Sequence, residues 1–279
     1  MSLEIAHLGN ALIELGAPVV ASNGRLLPEG GFYLEGAEEH FGIGFADGDI
    51  AFVGQFEHDL EATADASPDL SVTRTWEADV VERIQLIAPT VALDPEDPHA
   101  LLRELALVAN RLDEHERLRL RYEEAVARAR VWLPEDEALT YSYIYPLPSG
   151  GIIVSGLEGG ITLALEDLGF VAPGPVQAIF DRAGEDWAEV SLERLADLNA
   201  DIVLTGYHER TDPMGAAMRY DDLDRMLPGW CAVLPACREG RMVAVPWNRG
   251  FPLSYRSLTE TVSHLTSHIV GRPPAQVSD

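Results

Sequence analysis

Four stretches of the chain carry side chains able to grip a polar ligand, and each follows an apolar run that reads as a short strand. Arg74, Thr75 and Trp76 follow Leu70–Thr73, and Gly206, Tyr207, His208, Glu209 and Arg210 follow Ile202–Thr205. Trp247, Asn248, Arg249 and Gly250 follow Met242–Val245, while Asp181, Arg182 and, further along, Trp187 follow Ala178–Phe180. In open α/β sheets, ligands bind outside the carboxyl ends of the strands, so these loops are where binding groups belong. Aromatic rings supply broad apolar faces and arginines supply forked donors, a combination suited to a bulky ligand that is partly apolar and partly rich in oxygen. Trp76, Trp187 and Trp247 all fall in such loops, where a core role is less natural. Tyr141, Ser142, Tyr143 and Tyr145 alternate along a strand. The tyrosines are expected to divide between its two faces, which leaves Tyr145, at the strand end, as a candidate.

Catalytic patterns are thin. Gly42-Ile43-Gly44 lacks the third glycine and the strand–helix setting of a dinucleotide site, and no Gly-Lys-Ser/Thr phosphate loop exists. Ser155 lies in Val-Ser-Gly without the frame of a nucleophile elbow. His264 and His268 are one helical turn apart, yet no third ligand accompanies them, and a solvated helix face explains both. The expectation is therefore no catalytic residue, no metal site and no intrinsic cofactor. Cys231 and Cys237 flank Leu234-Pro235. Continuous helix would hold them too far apart to bridge, but Pro235 ends a helix between them, so a small local disulfide is expected outside the cytoplasm and two buried thiols inside it.

The balance of charge narrows the partners. Across 279 residues, 46 Asp and Glu against 20 Lys and Arg leave a formal net charge of −26, which argues against nucleic acid and anionic membrane faces. With 47% hydrophobic residues the chain has material for a packed core. No run approaches a bilayer-spanning length, and Met1-Ser2-Leu3-Glu4 has neither a basic segment nor an apolar export core.

Short apolar runs alternate with helical patterns from end to end, the signature of an α/β protein with mainly parallel sheets. The remaining strand candidates are Val19–Ala21, Ile50–Val53, Thr90–Leu93, Thr140–Tyr145 and Ile152–Ser155. Between the two groups of strands lies Asp113 to Arg130, free of Gly and Pro, in which Leu118, Tyr122, Ala125 and Ala129 form one apolar face. It reads as an ordinary surface helix or, more sharply, as a strut between two lobes. The expected architecture is two α/β lobes, each with a mainly parallel central sheet flanked by helices, at 1–112 and 134–279, joined by one long helix at 113–133. Ser191 is placed to cap a helix that ends near Asn199, and Gly169 to close the helix that Gly159-Gly160 precedes.

The two halves share a rhythm. Asp59-Leu60-Glu61, a helix, Pro68-Asp69 and a strand are echoed by Ser191-Leu192-Glu193, a helix, Ala200-Asp201 and a strand. These segments resemble the paired elements of ABC-importer solute-binding proteins for iron–siderophore complexes and cobalamin. Three further stretches agree: Glu82-Arg83-Ile84 through Val91, Gly156 through Phe170, and Trp230 through Val243. The likeness runs in order over about residues 50 to 270. It implies a non-catalytic, monomeric, extracytoplasmic protein that holds a ferric siderophore, favoured as a hydroxamate, in a shallow cleft between lobes and delivers it to an ABC-importer permease dimer. Cobalamin or haem is the alternative ligand, and an enzyme on the same scaffold the alternative class. The family opens with an export signal, often a lipid-anchor cysteine, and a first strand. Here a helix-like segment, Ala11–Leu15, comes almost at once, so the signal is expected to have been trimmed and the first strand lost or replaced. In the hydroxamate branch a tryptophan ahead of a Val-Ser-hydrophobic-acidic helix start touches the ligand. Trp187, before Val190-Ser191-Leu192-Glu193, matches it. The expected ligand set is Trp187, Arg74, Trp76, Tyr145, Tyr207, Trp247 and Arg249. Glu61 and Glu193, one per lobe, are expected to dock against permease arginines.

Overall fold

Strands and helices of the computed structural model are described for residues 1–2, 5–27, 30–55, 57–74, 78–93, 97–134, 138–212 and 214–269. The chain divides into two units, Met1–Glu123 with Phe251–Leu258 and Glu124–Gly250 with Thr259–Asp279. No described helix is long and apolar enough to cross a membrane.

In chain order the first unit contains α1 (Asn10–Glu14), β1 (Ala21–Ser22), β2 (Arg25–Leu26), β3 (Phe32–Tyr33), α2 (Ala37–Phe41), β4 (Ala51–Phe52), α3 (Leu60–Asp65), β5 (Ser71–Arg74), α4 (Ala78–Ile84), β6 (Thr90–Leu93) and α5 (Pro98–Val108). β1 pairs with β4 and β5 with β6, both in parallel, while β2 and β3 form an antiparallel hairpin. Ser2 bridges in parallel to Ser22 and to Val72, so Met1 and Ser2 sit between β1 and β5, the place of the strand expected to be lost or replaced. The Met1 ammonium donates to the Leu70 carbonyl at 2.8 Å, and burial lowers its pKa. Helix starts follow the sequence: the Asp59 carboxylate accepts from the Glu61 and Ala62 N–H groups, and Asp97 caps α5 with Pro98 in its first turn. α5 buries Leu101, Leu102, Leu105 and Ala106 at helical spacing.

The long helix α6 runs from Leu112 to Arg130. Its exposed face carries ion pairs three and four residues apart, Arg117 with Glu114, Arg119 with Glu116 and Glu123, and Arg128 with Glu124. The division between units falls within it, after Glu123.

The second unit contains β7 (Tyr141–Pro146), β8 (Gly151–Ser155), α7 (Gly160–Asp167), α8 (Gly174–Ala183), β9 (Trp187–Ser191), β10 (Ile202–Tyr207), α9 (Ala216–Met226), α10 (Trp230–Val233), α11 (Pro235–Arg238), β11 (Met242–Pro246) and α12 (Trp247–Gly250). The last helix, α13 (Tyr255–Ile269), starts in the first unit and ends in the second. One sheet has the order β11-β10-β7-β8-β9. It is mixed: β11, β10 and β7 run parallel as expected, but β8 and β9 are antiparallel to their neighbours. Its core joins Ile144, Ile152, Val154, Val203 and Val190 of the strands to Val176, Ile179, Phe180, Leu195 and Leu223.

Two local expectations are corrected. Ala178–Phe180 is not a strand; it lies inside α8, whose buried Val176, Ile179 and Phe180 recur at three and four residues before Gly184, at φ +73°, ends the helix. Trp187 therefore does not follow a strand but begins one. Trp187–Ser191 is the edge strand β9, and its inward residue Val190 carries the burial. Ser191 makes no side-chain capping bond, and the turn after it, Leu192–Leu198, is 3₁₀ rather than α-helical. The proline break between α10 and α11 does bring Cys231 and Cys237 together, with Cα atoms 5.2 Å apart and the sulfurs bonded.

Candidate functional site

In the second unit the carboxyl ends of β7, β10 and β11 gather most of the residues the loops suggested. Three connected groups make up the surface.

The first is a buried chain of donors and acceptors. Trp247, immediately after β11, donates its Nε1–H to Glu158 Oε2 at 2.8 Å. Tyr143 and Ser155 also hydrogen-bond this carboxylate, and burial still raises its pKa above the ordinary glutamate value. Burial holds the Tyr143 phenol well above its ordinary range as well. Gly206 of β10 explains how the phenol fits: a Cβ there would lie 1.9 Å from Tyr143 Oη and 3.4 Å from the Trp247 Cβ. Only a residue without a side chain lets the ring pass under the strand.

The second group centres on Arg219, from α9. Its guanidinium meets Asp212 Oδ2 at 2.6 Å and Asp222 Oδ2 at 3.2 Å, and lies 4.5 Å above the centre of the Tyr145 ring. Arg219 is 5% exposed, so a cation sits under an aromatic face with its charge already balanced by two carboxylates. Asp212 also accepts from the His208 N–H at 2.8 Å, which fixes the loop leaving β10.

The third group is at the rim. Arg249 Nε donates to Glu209 Oε2 at 2.7 Å, Asn248 Nδ2 donates to the same oxygen at 3.1 Å, and the Glu209 N–H returns a bond to Asn248 Oδ1 at 3.1 Å. The rings of His208 and Trp247 lie 6.4 Å apart and link rim to centre. Tyr207, half-buried beside Gly215, has its phenol pKa raised by burial and by Glu209.

Tyr145, Tyr207, Trp247 and Arg249 are thus brought together, and Trp187 is not. It lies at the far edge of the sheet, on β9, two strands from β7, and is 44% exposed. The expected split of the tyrosines is also corrected: positions 141, 143 and 145 differ by two, so all three rings share one face, and Tyr143 is a member of the site. Glu158, Asp212, Arg219 and Asn248 complete it. Their signals were a glycine inside a strand, which marks a close approach, and a Glu two residues before the α7 start.

In the first unit, Arg74 ends β5 and is half-buried, while Trp76 lies outside the described residues. Beyond β1, Arg25 Nε meets Glu35 Oε2 at 2.5 Å, and the Tyr33 phenol donates to Glu35 Oε1 at 3.2 Å. Phe52, which ends β4, stacks on Phe32 with ring centres 3.7 Å apart, and Phe45 meets its edge. Glu61 and Glu193 are both exposed, in the first turns of α3 and of the 3₁₀ turn after β9. Among the described residues no group of three or more His, Cys, Asp or Glu side chains is placed to hold a metal ion.

This arrangement can be set beside known proteins. The model of a family described as periplasmic binding protein matches residues 53–247. The iron(3+)-hydroxamate-binding protein FhuD of Bacillus subtilis is 26% identical over 151 residues, 53% of this chain and 48% of that protein, so the match spans about half of the relative. Staphylococcus aureus SirA complexed with staphyloferrin B shares the fold with a TM-score of 0.75 at 18% identity, over 96% of this chain and 92% of the other. FhuD2 from Staphylococcus aureus with bound ferrioxamine B superposes with a TM-score of 0.70 at 17% identity, over 96% and 97% of the two chains.

Proposed function

From the premise that the chain belongs to the periplasmic binding protein family, we propose that it captures a ferric siderophore, of hydroxamate type, and delivers it to the permease dimer of an ABC importer. The observation that carries this reading is the polar surface beyond β7, β10 and β11. There Arg219, Arg249 and Trp247 are each held by a carboxylate, so aromatic faces and donors are fixed in place before any ligand arrives. The ligand named for the FhuD relative, an iron(3+)-hydroxamate, supports the class. Local charge supports it further: Glu209, Asp212 and Asp222 pair with Arg219 and Arg249 and outnumber them, a field that suits a neutral or cationic hydroxamate complex better than a polyanionic one.

The ligand set proposed in the second unit is Tyr145, Tyr207, Trp247 and Arg249 with Arg219 and Tyr143, and in the first unit Arg74 with Arg25. Trp76, from its place after a strand, and Trp187, from the resemblance, remain proposals. The protein acts as a monomer outside the cytoplasm, and Glu61 and Glu193 read one permease half each through arginine partners.

Titration of tryptophan fluorescence with ferrioxamine B, ferrichrome, ferric staphyloferrin B, ferric enterobactin, cobalamin and haem tests the ligand class. Saturable one-to-one quenching by a ferric hydroxamate at a Kd on the order of 1 μM or tighter, with weaker response to the anionic chelates, is the expected result. Quenching by cobalamin or haem alone, or turnover of any of them, overturns it. For docking, Glu61→Lys with Glu193→Lys should leave that Kd unchanged while cellular uptake of radioactive iron from the same chelate falls.

A further inference from the structure

Where the chain leaves β1 and β4, the first unit carries an aromatic shelf. The register of the β2–β3 hairpin pairs Leu26 with Phe32, so the two side chains share one of its faces. Both are apolar, yet they remain 55% and 47% exposed. Phe32 stacks on Phe52, the last residue of β4, with ring centres 3.7 Å apart, and Phe45 meets the edge of Phe52 at 5.4 Å. Phe45 in turn packs against the core of Leu34, Ala37 and Ile50.

The shelf is fixed in place before anything lies on it. The Gly24 N–H donates to the Gly54 carbonyl at 3.0 Å and the Leu26 N–H to Gln55 Oε1 at 3.1 Å, which ties the hairpin to the turn after β4. A Cβ on Gly24 would lie 2.5 Å from Phe45 Cε2 and 2.7 Å from the Tyr33 carbonyl oxygen. Only a residue without a side chain brings hairpin and ring this close. Single apolar side chains on a surface are ordinary, but an anchored aromatic stack left open at strand carboxyl ends is a place for a ligand.

Its neighbours say what that ligand must offer. Arg25, the residue before Leu26 and already part of the proposed ligand set, is paired with the buried carboxylate of Glu35, so its charge is balanced, and the side chains of the shelf itself are hydrocarbon. An anionic group finds no counter-charge here; an apolar group gains by covering Leu26 and Phe32.

We propose that Leu26, Phe32 and Phe52 receive an apolar arm, an acyl chain or aryl ring, carried by the ferric hydroxamate, so that the transported chelate is amphiphilic. This inference rests on the siderophore reading and narrows its ligand. The arm lies along Leu26 and over the part of the Phe32 ring that Phe52 leaves open.

N-acetyl and N-octanoyl ferrioxamine B are the probes, because they share one iron chelate and one charge and differ only in the length of the acyl chain. In tryptophan-quenching titrations the octanoyl form should bind about tenfold or more tightly than the acetyl form. Phe32→Ser should reduce that preference to within about twofold, while Phe32→Leu, still apolar, retains it. Leu26→Ser, at the more exposed position, should lower it by about threefold, and decides alone if Phe32→Ser loses the first unit's calorimetric transition. Equal affinity of the parent for the two chelates, or a preference that survives the serine variants, overturns the proposal and leaves ferric hydroxamate binding standing. Binding of neither chelate overturns both. A concentration-dependent dimer in sedimentation equilibrium that Phe32→Ser abolishes would give the shelf to a second copy of the chain and overturn the proposal as well.

Discussion

The two units are both α/β and hold together differently. The first assembles its parallel sheet from β1 and β4, two residues each, β5 and β6, four each, and the step at Met1–Ser2. The second has five strands of five or six residues in one continuous sheet over a single apolar core, with a disulfide beside it. Their buried charges differ in the same sense. In the second unit Arg219 is paired with two carboxylates. In the first, Glu14 accepts the N–H groups of Tyr255 and Arg256 at the start of α13 but is desolvated enough that its pKa rises to about 7. The second unit thus presents binding groups held by ion pairs, while the first owes part of its stability to the protonation of one side chain.

Removing Arg219 is the largest perturbation that would break this contrast. Arg219→Ala leaves the mostly buried Asp212 without its cation, while Asp222 keeps Arg225; this costs about 3 kcal/mol, and it frees the Tyr145 ring. The expected outcome in differential scanning calorimetry is a fall in the transition of the second unit alone, with the first unit's transition in place. Loss of both transitions together would mean that the units do not unfold independently.

Glu14 gives the next effect, confined to the first unit. Its folded pKa of about 7 lies above the unfolded value of 4.5, so the folded state binds the extra proton between those limits. Its contribution is fully present below about pH 4.5 and lost as pH rises through 7. A shift of this size corresponds to about 3 kcal/mol. His115, in contact with Tyr255 at 3.1 Å, has a pKa lowered by burial and acts in the opposite direction. Glu14→Gln isolates the glutamate: urea unfolding of this variant should lose most of the decline in stability between pH 5 and 8 that the parent shows. Parallel profiles for the two proteins would refute the assignment.

What could be read in advance follows from how local each feature is. The long helix was legible because Asp113–Arg130 contains no breaker and carries its own ion pairs, and β10 and β11 because their apolar runs are long and end in polar loops. Ala178–Phe180 was misread because three apolar residues fit a strand as well as a helix; only Val176, buried with Ile179 and Phe180, sets the period. The site was half legible. Trp247, Tyr207 and Arg249 sit where a strand ends, which sequence marks. Arg219 comes from a helix after the β10 loop, and Glu158 from the turn before α7, so their convergence on Tyr145 and Trp247 is a matter of tertiary packing alone. Trp187 failed to join them because β9 returns antiparallel at the far edge, and no local signal sets the hand of that return.

The disulfide sharpens the contrast at a smaller scale. It closes a loop of only six residues in sequence separation, and the chain-entropy model gives about 2 kcal/mol for such a loop. Cys231→Ser with Cys237→Ser should lower the second unit's transition by that amount, leave the first unit's pH profile unchanged, and leave ferrioxamine B affinity within a factor of about two, since neither cysteine touches the site.

The smallest expected effect bears on the site itself. Trp247→Phe keeps the aromatic face but removes the Nε1–H that Glu158 accepts. Loss of one such bond costs about 1 kcal/mol, and Glu158, already raised by burial, moves further up because one of the donors that opposes desolvation is gone. Ferric hydroxamate affinity should therefore fall by about fivefold at pH 7. The pH dependence of the variant's affinity should also move to higher pH than the parent's, because Glu158 then gives up its proton at a higher pH. An unchanged affinity with an unchanged pH profile would mean that the Trp247–Glu158 bond only anchors the turn after β11, and that the second unit's fixed groups owe nothing to it.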